Sequence, residues 1–352
     1  MKTAVVILNW NTADFLSAFL PGVIYGLEGT DAGVVVADNG STDASLEVLS
    51  RDFPEVRTIR LGQNYGFTGG YNRAVKELLD SDEAPEYIVL LNSDIDVPKG
   101  WLEPLVSYMD RHSDCGACGP KLHALIKTDN GYERSSCFEY AGAAGGMLDI
   151  LGFPFCRGRV LSLTEEDRGQ YDTVQDVFWV TGACLLTRAS LWKELGGLDD
   201  RFFAHMEEID YCWRAQLLGY RISVIPQSTV WHLGGGTLPK TSPTKLKLNY
   251  RNCLLMLDNN LAATIGEKKA SAIIFARKLI DRFAALAYLV TGKYKKFLAV
   301  RNAHYEYGRM EKRRSSGNGH VTGLADTSIV IQYLLHGNGI FEYLRKRYEN
   351  NH

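Results

Sequence analysis

The run Tyr87-Ile88-Val89-Leu90-Leu91 passes without a polar break into Asn92-Ser93-Asp94-Ile95-Asp96. A strand that is apolar at every position, rather than at every second one, must be covered on both faces. That is the situation of a strand inside a sheet sandwiched between helices. The sequence before it agrees. Ala4–Leu8 and Val34–Ala37 are short β-rich runs, a third lies near Thr58–Leu61, and each is followed by a helical pattern. Strands alternating with helices predict an α/β fold, a mainly parallel sheet flanked by helices.

Sheets of this kind bind ligands beyond the carboxyl ends of their strands. Here successive strand ends carry Asp38, then Asn64 and Gly66, then Asn92 and Asp94. Asn92-Ser93-Asp94-Ile95-Asp96 offers oxygen ligands to a hard divalent cation such as Mg²⁺ or Mn²⁺, which typically shares the phosphates of its substrate. The same residues would also serve as an Asx turn capping a helix at Trp101. Asn64-Tyr65-Gly66-Phe67-Thr68-Gly69-Gly70 is a glycine-rich entry to a helix, suited to a diphosphate. It is neither a GxGxxG nor a P-loop.

Two further clusters lie downstream. Phe203-Ala204-His205-Met206-Glu207-Glu208-Ile209-Asp210 puts three carboxylates at a helix start. The helix dipole favours them there as caps, and Glu208 facing a cleft would equally act as a general base toward a hydroxyl. The spacing is not HExxH, which excludes that metalloprotease pattern. Trp231-His232-Leu233-Gly234-Gly235-Gly236 places a histidine at a strand end, followed by glycines that let the backbone approach a phosphate closely.

Between Lys121 and Asp176 the pattern weakens into loops and a hairpin. Phe178–Leu186 reads as a strand, Glu208–Leu218 as a helix, and Arg221–Val224 and Thr229–Trp231 as two strands. Beyond about Thr241 the character turns helical. Phe275, Leu279, Phe283, Leu286 and Val290 form a stripe at helical spacing, and 268–314 holds thirteen Lys/Arg against three Asp/Glu. Such a basic amphipathic segment suits an anionic membrane surface, though a helix packed on the main domain with a solvated basic face has the same pattern. The formal net charge of −2 argues against nucleic acid as the main partner. No stretch approaches a membrane-spanning length, and the N-terminal apolar run reads as a strand rather than a signal peptide. Seven scattered cysteines, with Cys115 and Cys118 as a CxxC lacking a second pair, suit reduced thiols in the cytoplasm.

Taken in order, VVILNWN, VVVADNGSTD, NYGFTGGYN, LLNSDID, VTGACLLTR, GGLDDRFFAHMEEIDYCWR and VWHLGGGT resemble glycosyltransferase family 2, especially its rhamnosyltransferase-like branch. The resemblance runs from Val5 to about Thr237. It implies a GT-A nucleotide-diphospho-sugar transferase fold over 1–240, followed by a C-terminal amphipathic helical region over 241–352. It also implies an inverting, metal-dependent transfer from a nucleotide sugar, dTDP-rhamnose ahead of UDP-hexoses, to a glycan or lipid-linked saccharide. Asp38 and Asn9 would hold the base or ribose, and Asn64, Gly66 and Gly69 would line the donor pocket. Asn92-Ser93-Asp94 would stand for the family's DxD, with Asp94 the principal metal ligand and Asn92 reaching metal or ribose through water. Asp96 would be a second ligand, and His232 matches a metal-binding histidine of some members. Glu208 takes the place of the family's catalytic Asp, with Glu207 or Asp210 next in line. A peripheral place at the inner face of the cytoplasmic membrane follows. Two other classes compete. A nucleotidyltransferase would carry its basic, glycine-rich signature beside the first strand, where this chain has Asn9-Trp10-Asn11. A non-catalytic sugar-nucleotide-binding or scaffold protein would not need metal, base and donor-loop candidates all intact.

Overall fold

The computed structural model describes residues 1–234 and 242–349, so Gly235, Gly236 and Thr237 of the last motif lie outside the described residues. Strands β1 (Thr3–Asn9), β2 (Ala32–Asp38), β3 (Arg57–Arg60) and β4 (Tyr87–Asn92) alternate with helices α1 (Ala13–Gly26), α2 (Ser45–Asp52) and α3 (Gly66–Leu79). They pair in parallel in the order β3-β2-β1-β4. β4 is buried from Tyr87 to Leu91, as its unbroken apolar run requires. The register sets Asn9 opposite Asp38 and Leu8 opposite Asn92. Three polar strand ends therefore meet at one edge.

Beyond β4 the sheet becomes mixed. The chain continues through β5 (Ile95–Asp96), α4 (Glu103–Arg111), β6 (Cys115–Thr128), β7 (Gly131–Phe138), β8 (Gly146–Leu148), β9 (Pro154–Cys156), β10 (Arg159–Val160), β11 (Leu163–Thr164) and β12 (Gln175–Asp176). It then forms β13 (Cys184–Arg188), α5 (Ala189–Leu195), α6 (Glu207–Leu217) and β14 (Arg221–His232). β13 starts at the carboxyl end of β4, where Asn92 N–H donates to Ala183 O, and so runs back antiparallel between β4 and β6. β14 lies parallel to β6 on its far side.

Three local expectations need correcting. The Phe178–Leu186 run pairs as a strand only from Cys184. Before that it bends, with Gly146 N–H on Trp179 O and Phe178 N–H on Gly146 O, and its aromatic side chains enter the core. A short apolar run is equally buried either way, so hydrophobicity alone does not separate the two. The two strands expected over 221–231 are one strand, β14, with an irregularity between Val224 and Thr229 that spans Pro226. The weakly patterned 121–176 stretch holds the β6–β7 hairpin and a four-stranded antiparallel sheet ordered β11-β10-β9-β8.

The C-terminal helices are α7 (Pro243–Ile265), α8 (Glu267–Val290), α9 (Tyr294–Arg309), α10 (Ile329–His336) and α11 (Ile340–Tyr348). α7 packs on α6, where Asn259 and Asn260 donate to the fully buried Asp210, itself paired with Arg214 at 2.7 Å. α8 is turned the unusual way round. Its inner face carries the buried pair Arg277–Asp281 (2.9 Å), joined by His304 of α9, while Phe283 (71% exposed) and Val290 (79%) point outward. Leu334 and Leu335 of α10 are exposed too. The small sheet ties these helices together, since Ile329 N–H donates to Asp149 and Arg277 donates to the carbonyls of Leu151 and Gly152. All seven cysteines are unpaired, and no helix among the described residues is long and apolar enough to cross a membrane.

Candidate active site

The edge built by β1, β2 and β4 is a connected polar floor. Asn9 donates to Asp38 (3.0 Å) and to Ser41 (3.0 Å), Thr12 donates back to Asn9 (2.6 Å), and Ser41 N–H is held by the other Asp38 oxygen. Asn9 and Asp38 are almost wholly buried, so their orientation is fixed before any ligand arrives. Asn39 continues the floor by donating to Asn64 and to Gly66 O.

The glycine-rich loop does not offer its helix N-terminus as an open anion cradle. Gly66 N–H is taken by Asn64 (2.8 Å), and Phe67 and Thr68 N–H both donate to Phe203 O. The loop is instead the wall against which the Phe203 turn is fastened. Gly66 has φ +74°, and a Cβ there would lie 2.5 Å from the Phe203 ring and 2.6 Å from its carbonyl oxygen. Gly69 sits one turn on in α3, against Tyr65 and Arg73.

Two expected metal ligands come together and one does not. Asp94 Oδ1 and His232 Nε2 are 3.2 Å apart, both buried, with the Asn92 amide 3.4 Å from the same nitrogen. Neighbouring ligands of an octahedral Mg²⁺-type ion lie about 3 Å apart, given bonds of roughly 2.0–2.1 Å. The pair therefore fits two corners of such a site. Asp96 is elsewhere. The pairing of β5 with β14 turns it to Arg134, which holds it bidentately (2.7 and 3.1 Å) while stacking on Trp231. Among the described residues no three His, Cys, Asp or Glu side chains converge to hold a metal by themselves. Two protein ligands with the rest from phosphate and water is the arrangement that suits a nucleotide-bound ion.

Glu139, which follows the edge strand β7, joins these residues although no sequence motif marks it. Its carboxylate lies 3.3 Å from His232 Nδ1, an ion-pair contact without good hydrogen-bond alignment, and turns Nε2 toward Asp94. Burial alone would lower the His232 pKa, but the two flanking carboxylates outweigh it and raise it to about 10, so an ion bound at Nε2 would displace the proton there. Asp94 is the mirror case. Burial pushes it up, and His232 with the backbone N–H groups of Asp94 and Gly234 brings it below the usual carboxylate value. Gly234 (φ +69°) is required here, since a Cβ would sit 2.8 Å from Glu139.

Across the cleft, the turn Phe203-Ala204-His205-Met206 delivers Glu207 and Glu208 at the start of α6. Phe203, His205 and Met206 all have φ between 65° and 73°. Left-handed non-glycine residues cost of order 1–3 kcal/mol each and persist only where the surroundings hold them. Asn252 of α7 does so, donating to the carbonyls of Phe202, Ala204 and His205 at 2.8–2.9 Å, with Arg251 beside it on Arg201 and Phe202. An Arg-Asn pair interrupting the apolar run of α7 is the sequence signal that could have revealed this. Glu207 is closed off, whereas Glu208 keeps partial exposure beside Phe67 and Gly182. One oxygen of each is buried without a partner. Burial raises both, Glu208 to about 7 and Glu207 further because its neighbour's charge adds. A carboxyl near 7 that faces a cleft is suited to accept a proton at neutral pH. Asp210, the other alternative, is consumed by Arg214, Asn259 and Asn260.

Known proteins resemble the chain in sequence and in fold. The family model described as glycosyl transferase family 2 matches residues 4–190. The N-acetylglucosaminyl-diphospho-decaprenol L-rhamnosyltransferase of Mycobacterium tuberculosis is 26% identical over 260 residues, covering 72% of this chain and 83% of that protein. Among solved structures, S. aureus TarS with UDP-GlcNAc superposes with a TM-score of 0.55 at 16% identity, over 87% of this chain and 80% of that one. GalNAc-T7 with UDP, GalNAc and Mn2+ gives 0.55 at 18% identity, over 73% of this chain and only 48% of the longer neighbour.

Proposed function

The chain belongs to glycosyl transferase family 2 and is a glycosyltransferase of GT-A fold, and from that premise we propose that it moves a sugar from a nucleoside diphosphate to a hydroxyl of a lipid-linked saccharide, with inversion. L-Rhamnose from dTDP-rhamnose is the first candidate donor and a UDP-hexose the next. The curated relatives named for rhamnosyl transfer support that order, and the diphospho-lipid acceptor of the mycobacterial enzyme supports the acceptor class.

The observation that carries the reading is the half-buried Glu208, held near neutrality, facing a cleft whose other side presents Asp94 and His232. Asn9 and Asp38 bind and orient the nucleoside, and Asn64, Gly66 and Gly69 form the wall beside it. Asp94 and His232, steadied by Glu139, would hold a divalent ion that supplies Lewis acidity to the departing diphosphate. Glu208 takes the proton as the acceptor oxygen attacks the anomeric carbon, and one displacement inverts the configuration. Alignment of the two substrates and fixed charge supply most of the rate. In this reading 1–240 form the catalytic part and 241–352 the helical part.

The exposed apolar face of α8, with the basic residues between 268 and 314, supports a peripheral place on an anionic bilayer at the inner face of the cytoplasmic membrane. Each large apolar side chain left in water forgoes about 1.5–3 kcal/mol that burial would supply.

The direct test is a donor screen with purified protein across dTDP-rhamnose, UDP-glucose, UDP-galactose, UDP-GlcNAc and GDP-mannose, with and without Mn²⁺. One donor is expected to bind with metal and turn over, and Glu208→Gln to keep the binding while losing the turnover. Binding of no donor under any metal condition would refute the catalytic reading.

A further inference from the structure

The β9–β10 hairpin buries two arginines, and only one of them is neutralised. Arg157 meets Glu349 of the C-terminal segment through Nε (3.1 Å) and Nη2 (3.3 Å). Arg159 is just as buried, at 5% exposure, yet among the described residues no carboxylate forms an ion pair with it. Its contacts are neutral: Tyr140 O at 3.0 Å, Pro154 O at 3.1 Å and the Cys156 thiol at 3.2 Å. A guanidinium has five N–H donors, so two have no partner. A buried cation without a counter-charge is costly, and such a site is stabilised by an anion that enters it.

The position of Arg159 indicates which anion. Tyr140, half-exposed, lies under the guanidinium at 4.8 Å, so the site lies one ring's depth below the surface. The same loop packs through Gly142 on Thr181, and the next residue, Gly182, lies against Glu208. Cys156, which touches Arg159, feels the charges of both Glu139 and Glu208. Arg159 therefore stands beside the cleft, near the segment that carries Glu139 and within reach of the charge of Glu208. The strands that carry it belong to the sheet whose β8–β9 turn anchors α8 and α10, the helices with exposed apolar faces. Asp94 and His232 would hold the ion that meets the donor's diphosphate, and a second phosphate-bearing substrate needs a second cation.

We propose that Arg159 binds the diphosphate of a lipid-diphosphate-linked acceptor, through the two N–H donors its neighbours leave open, and so selects acceptors that carry that linkage. The proposal rests on the lipid-linked acceptor reading above and adds the residue that recognises the linkage. Charge-assisted hydrogen bonds to phosphate are individually worth about tenfold or more in affinity.

The test is binding, so that it stands apart from turnover. Titration calorimetry in detergent micelles with EDTA compares farnesyl-diphospho-N-acetylglucosamine with the phosphate-free farnesyl N-acetylglucosaminide. Wild type is expected to prefer the diphosphate by about tenfold or more. Arg159→Gln is expected to bind the two ligands within about threefold of each other, with the affinity for the glycoside unchanged; Arg159→Lys is expected to lose at least about threefold of the preference, since a point charge lacks the planar fork. Equal binding of both ligands by wild type, equal loss of both in the variants, or an undiminished preference in Arg159→Lys overturns the proposal. A preference that appears only with Mn²⁺ and ignores Arg159 overturns it as well, in favour of the Asp94–His232 site. Selective binding without turnover of any donor would instead sink the catalytic reading while leaving this site standing.

Discussion

Glu208→Gln is expected to stabilise the protein under the conditions where it abolishes turnover. Burial holds the wild-type carboxyl at about 7 against the ordinary 4.5. The unfolded chain thus releases this proton near 4.5 and the folded protein only near 7. Below 4.5 both states keep the proton and the group's full contribution to stability is present. As pH rises through this window the unfolded state gains a solvated charge while the folded state resists one, and stability falls until about pH 7. The loss amounts to about 3 kcal/mol at 1.36 kcal/mol per pKa unit. Glutamine stays neutral in both states and escapes it. In urea unfolding, the variant and wild type should nearly coincide at pH 4.5. By pH 8 the variant's midpoint should lie higher by on the order of 1 M. The wild-type kcat should rise about tenfold between pH 6 and 8 as the base ionises. A stability difference that does not change with pH, or a kcat flat over that range, would refute the assignment of Glu208 as a buried base.

Four other outcomes follow from the geometry. Asp94→Asn should remove Mn²⁺ binding and metal-supported turnover, and Glu139→Gln should weaken Mn²⁺ about 10–100-fold by freeing the His232 ring, both read by calorimetry in the presence of donor nucleotide. Gly66→Ala places a Cβ against Phe203 at a positive φ, and should cost about 2–4 kcal/mol, seen as a lowered thermal midpoint together with weaker donor binding. Phe283→Asp with Val290→Asp should abolish sedimentation with vesicles containing anionic lipid while leaving donor binding within about twofold of wild type, because both side chains face solvent.

Much of the candidate site was legible because it lies where the chain changes state. Asn9, Asp38, Asn92 and Asp94 follow directly on buried strands, and Glu208 opens a helix, so a polar residue beside an apolar run marked each of them. The parallel half of the sheet was legible for the same reason. Glu139 and Arg159 were not, because Glu139 follows a hairpin strand and meets His232 far along the chain, while Arg159 opens a strand of two residues, and no local pattern marks either. Asp96 had the right spacing from Asp94, but the pairing of β5 with β14 turned it to Arg134. For α8 the periodicity gave the apolar stripe without its direction. The salt-bridged Arg277 and Asp281, four residues apart on the opposite face, took the interior because His304 and two carbonyls satisfy them there.

The dependence of the Phe203–Met206 turn on Arg251 and Asn252 bears on how enzymes of this build are spliced. A chimera cut just before α7 would exchange that helix along with the tail and leave Glu208 on an unsupported turn. Moving the seam past Ile265, into the break before α8, keeps the clamp with the chemistry. The helices beyond it can then be traded for others that suit a different surface, provided that an acidic residue still meets Arg251 where Glu306 of α9 does.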